Sequence, residues 1–153
     1  MKLVTYRSPS GAGPRAGALE DGWVYDLGPS LQFLLEAGPG ALAAARERST
    51  CRWQADEVRL SAPLPSPRSF RDFYAFEQHV RTCRQKRGLP VVPEWYEFPV
   101  FYFSNPSAVV GPDAPVMRPS YTKELDFELE VACVIGRAGR DIDPQEADQY
   151  IAG

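Results

Sequence analysis

The sequence predicts a β-rich α+β fold in two parts, and three observations carry that expectation. Fifteen prolines and twelve glycines in 153 residues are too many for a helical chain and suit short strands joined by turns. Asp21-Gly22 sits between two apolar, loosely alternating runs and reads as a hairpin turn. Pro63, Pro65 and Pro67 fall within five residues, which neither a helix nor a central strand tolerates, so a domain boundary is expected near residue 60.

The expected domains are therefore residues 1–60, a small β domain with short helices, and residues 61–153. In the first, residues 2–6 form a strand and residues 15–19 a second, after the Gly/Pro-rich turn at 8–14. Residues 23–27 form the third, across the Asp21-Gly22 turn. Ser30 can cap a helix over 31–37, which Gly38-Pro39 ends. The alanine-rich stretch 40–48 suits a second helix, and residues 58–60 a further strand. In the second domain, Ser69 with Asp72 three residues on resembles a capping box, so a helix is expected over 69–87, closed by Gly88 with Pro90 beyond. An aromatic, proline-rich loop follows at 91–99. Residues 100–103, 109–110 and 125–135 read as strands.

Composition excludes several classes. The formal charge is −3, and the cationic run 81–87 suits the C-terminal end of a helix better than a nucleic-acid footprint. No segment approaches membrane-spanning length, and no signal-peptide pattern opens the chain. Cys51, Cys83 and Cys133 are odd in number and not spaced as a zinc site, which fits a reducing cytoplasm.

Two constellations carry chemistry. Glu124, Asp126, Glu128 and Glu130 alternate with Leu125, Phe127, Leu129 and Val131. With a period of two, all four acids share one strand face, where like charges repel. A bound divalent cation would compensate, since carboxylates are hard ligands for Mg²⁺, Mn²⁺ or Ca²⁺. A solvated strand face produces the same alternation. The second constellation is the expected helix, whose period puts Asp72, Phe76, His79 and Cys83 on one stripe. His79 is the sole histidine and a natural general base. A helix residue without chemical role, and for Asp72 a capping role, answer to the same pattern. Tyr74, Tyr102 and Trp95-Tyr96 either line a pocket or pack a core.

Three segments in order resemble the fumarylacetoacetate hydrolase family. Asp72-Phe73-Tyr74-Ala75-Phe76-Glu77-Gln78-His79 is similar to the stretch that begins with a metal-binding Asp and ends with the catalytic His. Phe98-Pro99-Val100-Phe101-Tyr102 is similar to the segment whose Tyr contacts substrate. Leu125-Asp126-Phe127-Glu128-Leu129-Glu130 resembles the Glu-x-Glu metal strand, backed by Ile135-Gly136. Residues 1–60 resemble the small domain that precedes the catalytic domain in longer members.

The resemblance implies a fold in which residues 61–153 begin a mixed β-sandwich or β-roll, incomplete at its C-terminal side. It implies Asp72, Glu128 and Glu130 as ligands of a divalent metal, Mg²⁺ foremost. It implies His79 as the base that activates water, and Tyr74 and Tyr102 as substrate contacts. Asp126 is not a ligand in that pattern. The implied activity is hydrolysis of a carbon–carbon bond in a small 1,3-dicarbonyl acid, of fumarylacetoacetate or acylpyruvate type, in aromatic amino acid catabolism. Isomerisation or decarboxylation of hydroxy-diene dioates, or an inactive truncated fragment, are the alternatives. A homodimer is the implied assembly. The pattern's substrate-binding Arg has no clean counterpart. Its further metal-binding Asp, its Lys and the acid that orients the His belong beyond a segment like 150–153.

Overall fold

The computed structural model describes all 153 residues. They form an α+β arrangement in two compact units, Met1–Pro65 with Val110–Gly153, and Ser66–Val109. No helix is long and apolar enough to cross a membrane.

The first unit is built on an antiparallel sheet of β1 (Lys2–Arg7), β2 (Arg15–Glu20), β3 (Trp23–Gly28), β4 (Arg52–Gln54) and β5 (Arg59–Ser61). Their order across the sheet is β4-β3-β2-β1-β5. Asp21 and Gly22 take φ of 47° and 80°, the paired left-handed geometry whose twist matches the flanking strands. Helix α1 (Leu31–Glu36) starts where the Ser30 hydroxyl accepts from the Phe33 amide, 3.2 Å away. Helix α2 (Pro39–Glu47) begins with proline in its first turn, where the missing N–H costs nothing.

Each face of this sheet has its own packing. Ala16 and Ala18 on β2, with Leu27, meet Leu31, Leu34 and Leu35 of α1 and Ala45 of α2. The opposite face carries Tyr6 and Val24, both fully buried, with Gly17 between them. A Cβ at Gly17 would lie 2.7 Å from Val24 Cγ1 and 3.0 Å from Tyr6 Cδ1. Gly17→Ala is therefore expected to destabilise the unit by about 1–3 kcal/mol, as overpacking does. Urea unfolding checks this, and an unchanged midpoint would show that the two side chains yield freely. On the same face Asp26 ties the strands together. Arg15 Nη2 donates to Asp26 Oδ1 at 2.7 Å, the Gly28 amide donates to the same oxygen at 2.9 Å, and the Tyr6 hydroxyl and Arg15 Nε donate to Oδ2. Thr5 Oγ1 donates to the Pro63 carbonyl at 2.6 Å, which fixes the proline run to β1.

The C-terminal stretch of this unit departs from the sequence expectation. Residues 125–135 were expected to form a long strand, yet only Ile135 makes a bridge, to Ile151. The Val134 amide donates to the Gly153 carbonyl and the Ala152 amide to the Val134 carbonyl, both at 2.7 Å. Gly136 is required there, since a Cβ would come within 2.6 Å of Ala152 Cβ. Upstream, Leu125, Phe127, Leu129 and Val131 are 55%, 84%, 93% and 96% exposed. A period-two pattern states which side chains share a face. It cannot supply the neighbouring backbone whose N–H and C=O groups make a ladder, and none lies opposite residues 124–133. The expected strand at 109–110 is likewise unpaired.

In the second unit, β6 (Phe70–Phe73) pairs antiparallel with β7 (Phe101–Ser104), and helix α3 spans Glu77–Lys86. The expected helix over 69–87 is thus a strand followed by a shorter helix, and Asp72 caps nothing. Phe70, Phe73 and Tyr74 favour a pleated surface. Their pairing with the aromatic β7 outweighs a local capping signal. The end of α3 is as expected. Gly88 takes φ 68°, its amide donates to Gln85 O, and the Leu89 amide donates to Arg84 O.

Candidate functional site

Strand β6 does most to assemble the second unit's polar side chains. Asp72 lies directly opposite Tyr102 in the β6–β7 register. The Tyr74 amide donates to the Val100 carbonyl at 3.1 Å, so the ladder runs one step beyond β6. Residues two apart share a face, which sets Tyr74 on the side of Asp72 and Tyr102. The other face is aromatic: Phe73 meets Phe101 at 5.1 Å between centroids, Phe101 meets Phe103 at 5.2 Å, and the Arg71 guanidinium lies 4.9 Å over Phe103.

After Ala75 the chain turns into α3, and His79 in its first turn comes back to Tyr74. The two rings meet edge-on at 5.7 Å. His79 is exposed, and its Nε2 lies 3.6 Å from Cys83 Sγ, one helical turn on. The helix thus joins His79 to Cys83 as the periodicity predicts, whereas Asp72 reaches the group along a strand. Four of the six residues singled out from the sequence, Asp72, Tyr74, His79 and Tyr102, stand in this one unit.

Two anchors fix the connection between β6 and α3. Trp95, in a 3₁₀ turn over Pro93–Tyr96, donates its indole N–H to the Tyr74 carbonyl at 2.8 Å. The Tyr96 hydroxyl donates to Glu77 Oε1 at 2.8 Å, and Arg81 donates to the same oxygen and to the Tyr96 hydroxyl at 2.9 Å. The Tyr96 hydroxyl first, and the Arg81 guanidinium with it, hold the Glu77 carboxyl below the usual carboxylate range. Val80, almost fully buried, seats the inner face of α3. Sequence reasoning missed the Glu77–Arg81–Tyr96 group. The i, i+4 spacing of Glu77 and Arg81 was the available signal.

Glu128 and Glu130, the other two residues, lie in the ladder-free stretch of the first unit and are exposed. Within neither unit do three His, Cys, Asp or Glu side chains gather as a preformed metal cage. In donor chemistry Asp72, Glu128 and Glu130 do fit a hard divalent cation. They are carboxylates whose oxygens no cationic side chain occupies.

The second unit thus places a carboxylate and two phenols along a small antiparallel ladder, with an imidazole beside them on α3. Comparison with known proteins makes this specific. Residues 68–153 match the fumarylacetoacetate (FAA) hydrolase C-terminal domain, and the chain belongs to the fumarylacetoacetate hydrolase family. It is 30% identical over 165 residues to the oxaloacetate tautomerase fahd2, mitochondrial, of Xenopus laevis, covering 100% of this chain and 50% of that protein. It is 32% identical over 167 residues to the oxaloacetate tautomerase FAHD2A, mitochondrial, of Homo sapiens, with the same coverage. A fumarylacetoacetase of Oryza sativa is 30% identical over 104 residues, covering 55% of this chain and 24% of that protein. The chain spans about half the length of the curated relatives it matches from end to end.

Proposed function

We propose that the complete protein is a metal-dependent enzyme that acts on the enol or enolate of a small 1,3-dicarbonyl acid. The observation that supports this best is the grouping of Asp72, Tyr74, His79 and Tyr102 about β6 and the first turn of α3. Asp72, Glu128 and Glu130 are the residues that would hold a divalent cation, Mg²⁺ foremost. Bound there, it would polarise the substrate's oxo group and offset charge building on that oxygen. The phenols of Tyr74 and Tyr102 would fix the substrate by hydrogen bonds.

His79 moves the proton. In keto–enol exchange it takes a proton from the carbon between the two carbonyl groups, and a proton is returned to the oxo oxygen. The frog and human relatives matched along the whole chain are named oxaloacetate tautomerases, which favours this reaction. The second reading is hydrolysis, favoured by the rice relative's name, fumarylacetoacetase. There His79 takes its proton from water, the hydroxide adds to a carbonyl carbon, and the carbon–carbon bond breaks with its electron pair leaving as an enolate. The family resemblance also carries a homodimer.

The test is a pair of measurements on the complete protein. Proton–deuterium exchange at the methylene of oxaloacetate, followed by NMR with Mg²⁺, reports tautomerisation. Loss of the diketone absorbance of an acylpyruvate reports cleavage. Exchange without cleavage supports the first reading, cleavage the second, and neither sinks both. Calorimetric titration with Mn²⁺ and Mg²⁺ tests the cradle. Even outer-shell partners of a metal are worth about 10–100-fold in affinity, so Glu128→Gln is expected to cost at least that much. An unchanged affinity would remove Glu128 from the ligand set.

A further inference from the structure

We infer that the turn carrying Trp95 and Tyr96 positions His79 for proton transfer, which makes both of them positioning residues; the inference rests on the proton-transfer reading above. Pro93–Tyr96 is one 3₁₀ turn, and its last two side chains grip opposite ends of the same connection. At the strand end, Trp95 Nε1 donates to the Tyr74 carbonyl at 2.8 Å. At the helix end, the Tyr96 hydroxyl donates to Oε1 of Glu77, the first residue of α3, also at 2.8 Å. Ala75 and Phe76 alone lie between, and both are exposed.

Little else fixes the path from β6 into α3. No side chain caps the helix start at Phe76. The Glu77–Arg81 ion pair spans one turn within α3, so by itself it ties the helix to nothing outside. Arg81 also reaches the Tyr96 hydroxyl at 2.9 Å, which gives the turn a second hold on the helix. Val80 seats the inner face of α3, but an apolar contact has no direction and does not set the helix's rotation. The bond from Arg84 Nε to the Pro90 carbonyl, at 2.7 Å, secures the far end of α3.

His79 depends on this path. Its ring meets Tyr74 edge-on, with 5.7 Å between centroids and 88° between planes. Tyr74 stands before the connection and His79 after it, so the contact holds only while strand end and helix start keep their relation. Tyr74 is held at both backbone groups, its amide by the Val100 carbonyl at 3.1 Å and its carbonyl by Trp95. Cys83, the imidazole's other neighbour, lies on α3 itself and moves with it. A misplacement of 1 Å can cost about 10²-fold in rate, so bonds that carry little folding energy can carry much of the turnover.

The experiment uses the complete protein with Mg²⁺ and compares wild type with the paired variant Trp95→Phe and Tyr96→Phe. That pair keeps an aromatic ring at each position and removes only the indole N–H and the hydroxyl. The first readout is the Cε1–H resonance of His79, assigned by its loss in His79→Gln, with its nuclear Overhauser contact to the Tyr74 ring. The second is kcat and KM for oxaloacetate exchange and acylpyruvate cleavage, in wild-type and His79→Gln backgrounds. The paired variant is expected to shift the resonance, weaken the contact and lower kcat about 10–100-fold, with KM within about twofold. In the His79→Gln background it is expected to cost less than about threefold more, because the base that the turn serves is gone. An unmoved His79 resonance, an unchanged kcat, or equal losses in the two backgrounds overturns the positioning role and leaves the proton-transfer reading standing. A moved resonance in a protein that turns over neither substrate has the opposite meaning: the turn sets the imidazole, and the proton-transfer reading falls.

Discussion

His79→Gln is expected to lower the turnover of the complete protein in the proposed reaction by about 10²–10⁴-fold with little change in substrate affinity, the usual contribution of a positioned acid–base group. Glutamine keeps a hydrogen-bonding tip of similar reach but cannot exchange a proton near neutral pH. The imidazole is exposed, and its contacts are an edge-on ring at Tyr74 and a thiol at Cys83. Neither carries much folding energy, so circular dichroism and the unfolding midpoint should match wild type. That separates chemistry from folding. The readout is the kcat against KM split for oxaloacetate exchange and for acylpyruvate cleavage. Turnover within a few-fold of wild type would assign the proton transfer elsewhere and return His79 to a packing role. Tyr74→Phe is the control. It keeps the ring edge against His79 and removes only the phenol's hydrogen bond, so it should raise KM more than it lowers kcat.

What the sequence reveals of this molecule divides by distance along the chain. Signals that act within a few residues read correctly. Asp21-Gly22 needs left-handed backbone at both positions and has it. Ser30 meets the amide three residues on, and Gly88 closes α3 with two backbone bonds. Signals that depend on a distant partner read poorly. Ser69 and Asp72 are spaced as a capping box, but Phe70–Phe73 spends its backbone groups on Phe101–Ser104, some thirty residues later. The three-residue β4 has no turn signature of its own and exists by pairing with Trp23–Tyr25. The acidic alternation from Glu124 to Glu130 fixes a common face if the segment is a strand. Whether it becomes one is decided by another backbone. The candidate site follows the same rule. His79 and Cys83 are legible as one helical stripe. Asp72 facing Tyr102 required the register of β6 on β7, and the anchoring of Tyr74 by Trp95 links residues 21 apart. The family resemblance supplied what local chemistry could not, because it carries the spacing of whole segments.

Asp26→Ala is expected to cost the first unit about 3 kcal/mol, chiefly because it strands a buried hydroxyl. Tyr6 is fully buried, and its hydroxyl donates to Asp26. Without that acceptor it bears the desolvation of an unpaired polar group. The Arg15 ion pair adds less, because its side chain is 38% exposed and solvent screens it. Asp26→Asn keeps an acceptor for Tyr6 and should cost about half as much. The pH dependence follows from the same bonds. Burial alone would raise the Asp26 carboxyl, but the hydrogen bonds from Arg15 and Tyr6 outweigh it and hold the group below its ordinary 3.8. A depressed carboxylate contributes stability above its unfolded value and loses it as pH falls through the folded one, so the Asp26→Asn penalty should shrink below about pH 4. Burial first, and then the bond to Asp26, push the Tyr6 hydroxyl well above its ordinary 10.0. That contribution is full below pH 10 and is lost as pH rises beyond it. Tyr6→Phe should therefore be less sensitive to alkaline unfolding than wild type. Urea unfolding of wild type and the three variants across pH 2–11 reads both limbs. A penalty for Asp26→Asn that instead grows as pH falls through the acid range would mean that Asp26 keeps its proton in the folded unit, and the Arg15–Asp26–Tyr6 group would then be a neutral hydrogen-bonded cluster rather than an ionic one.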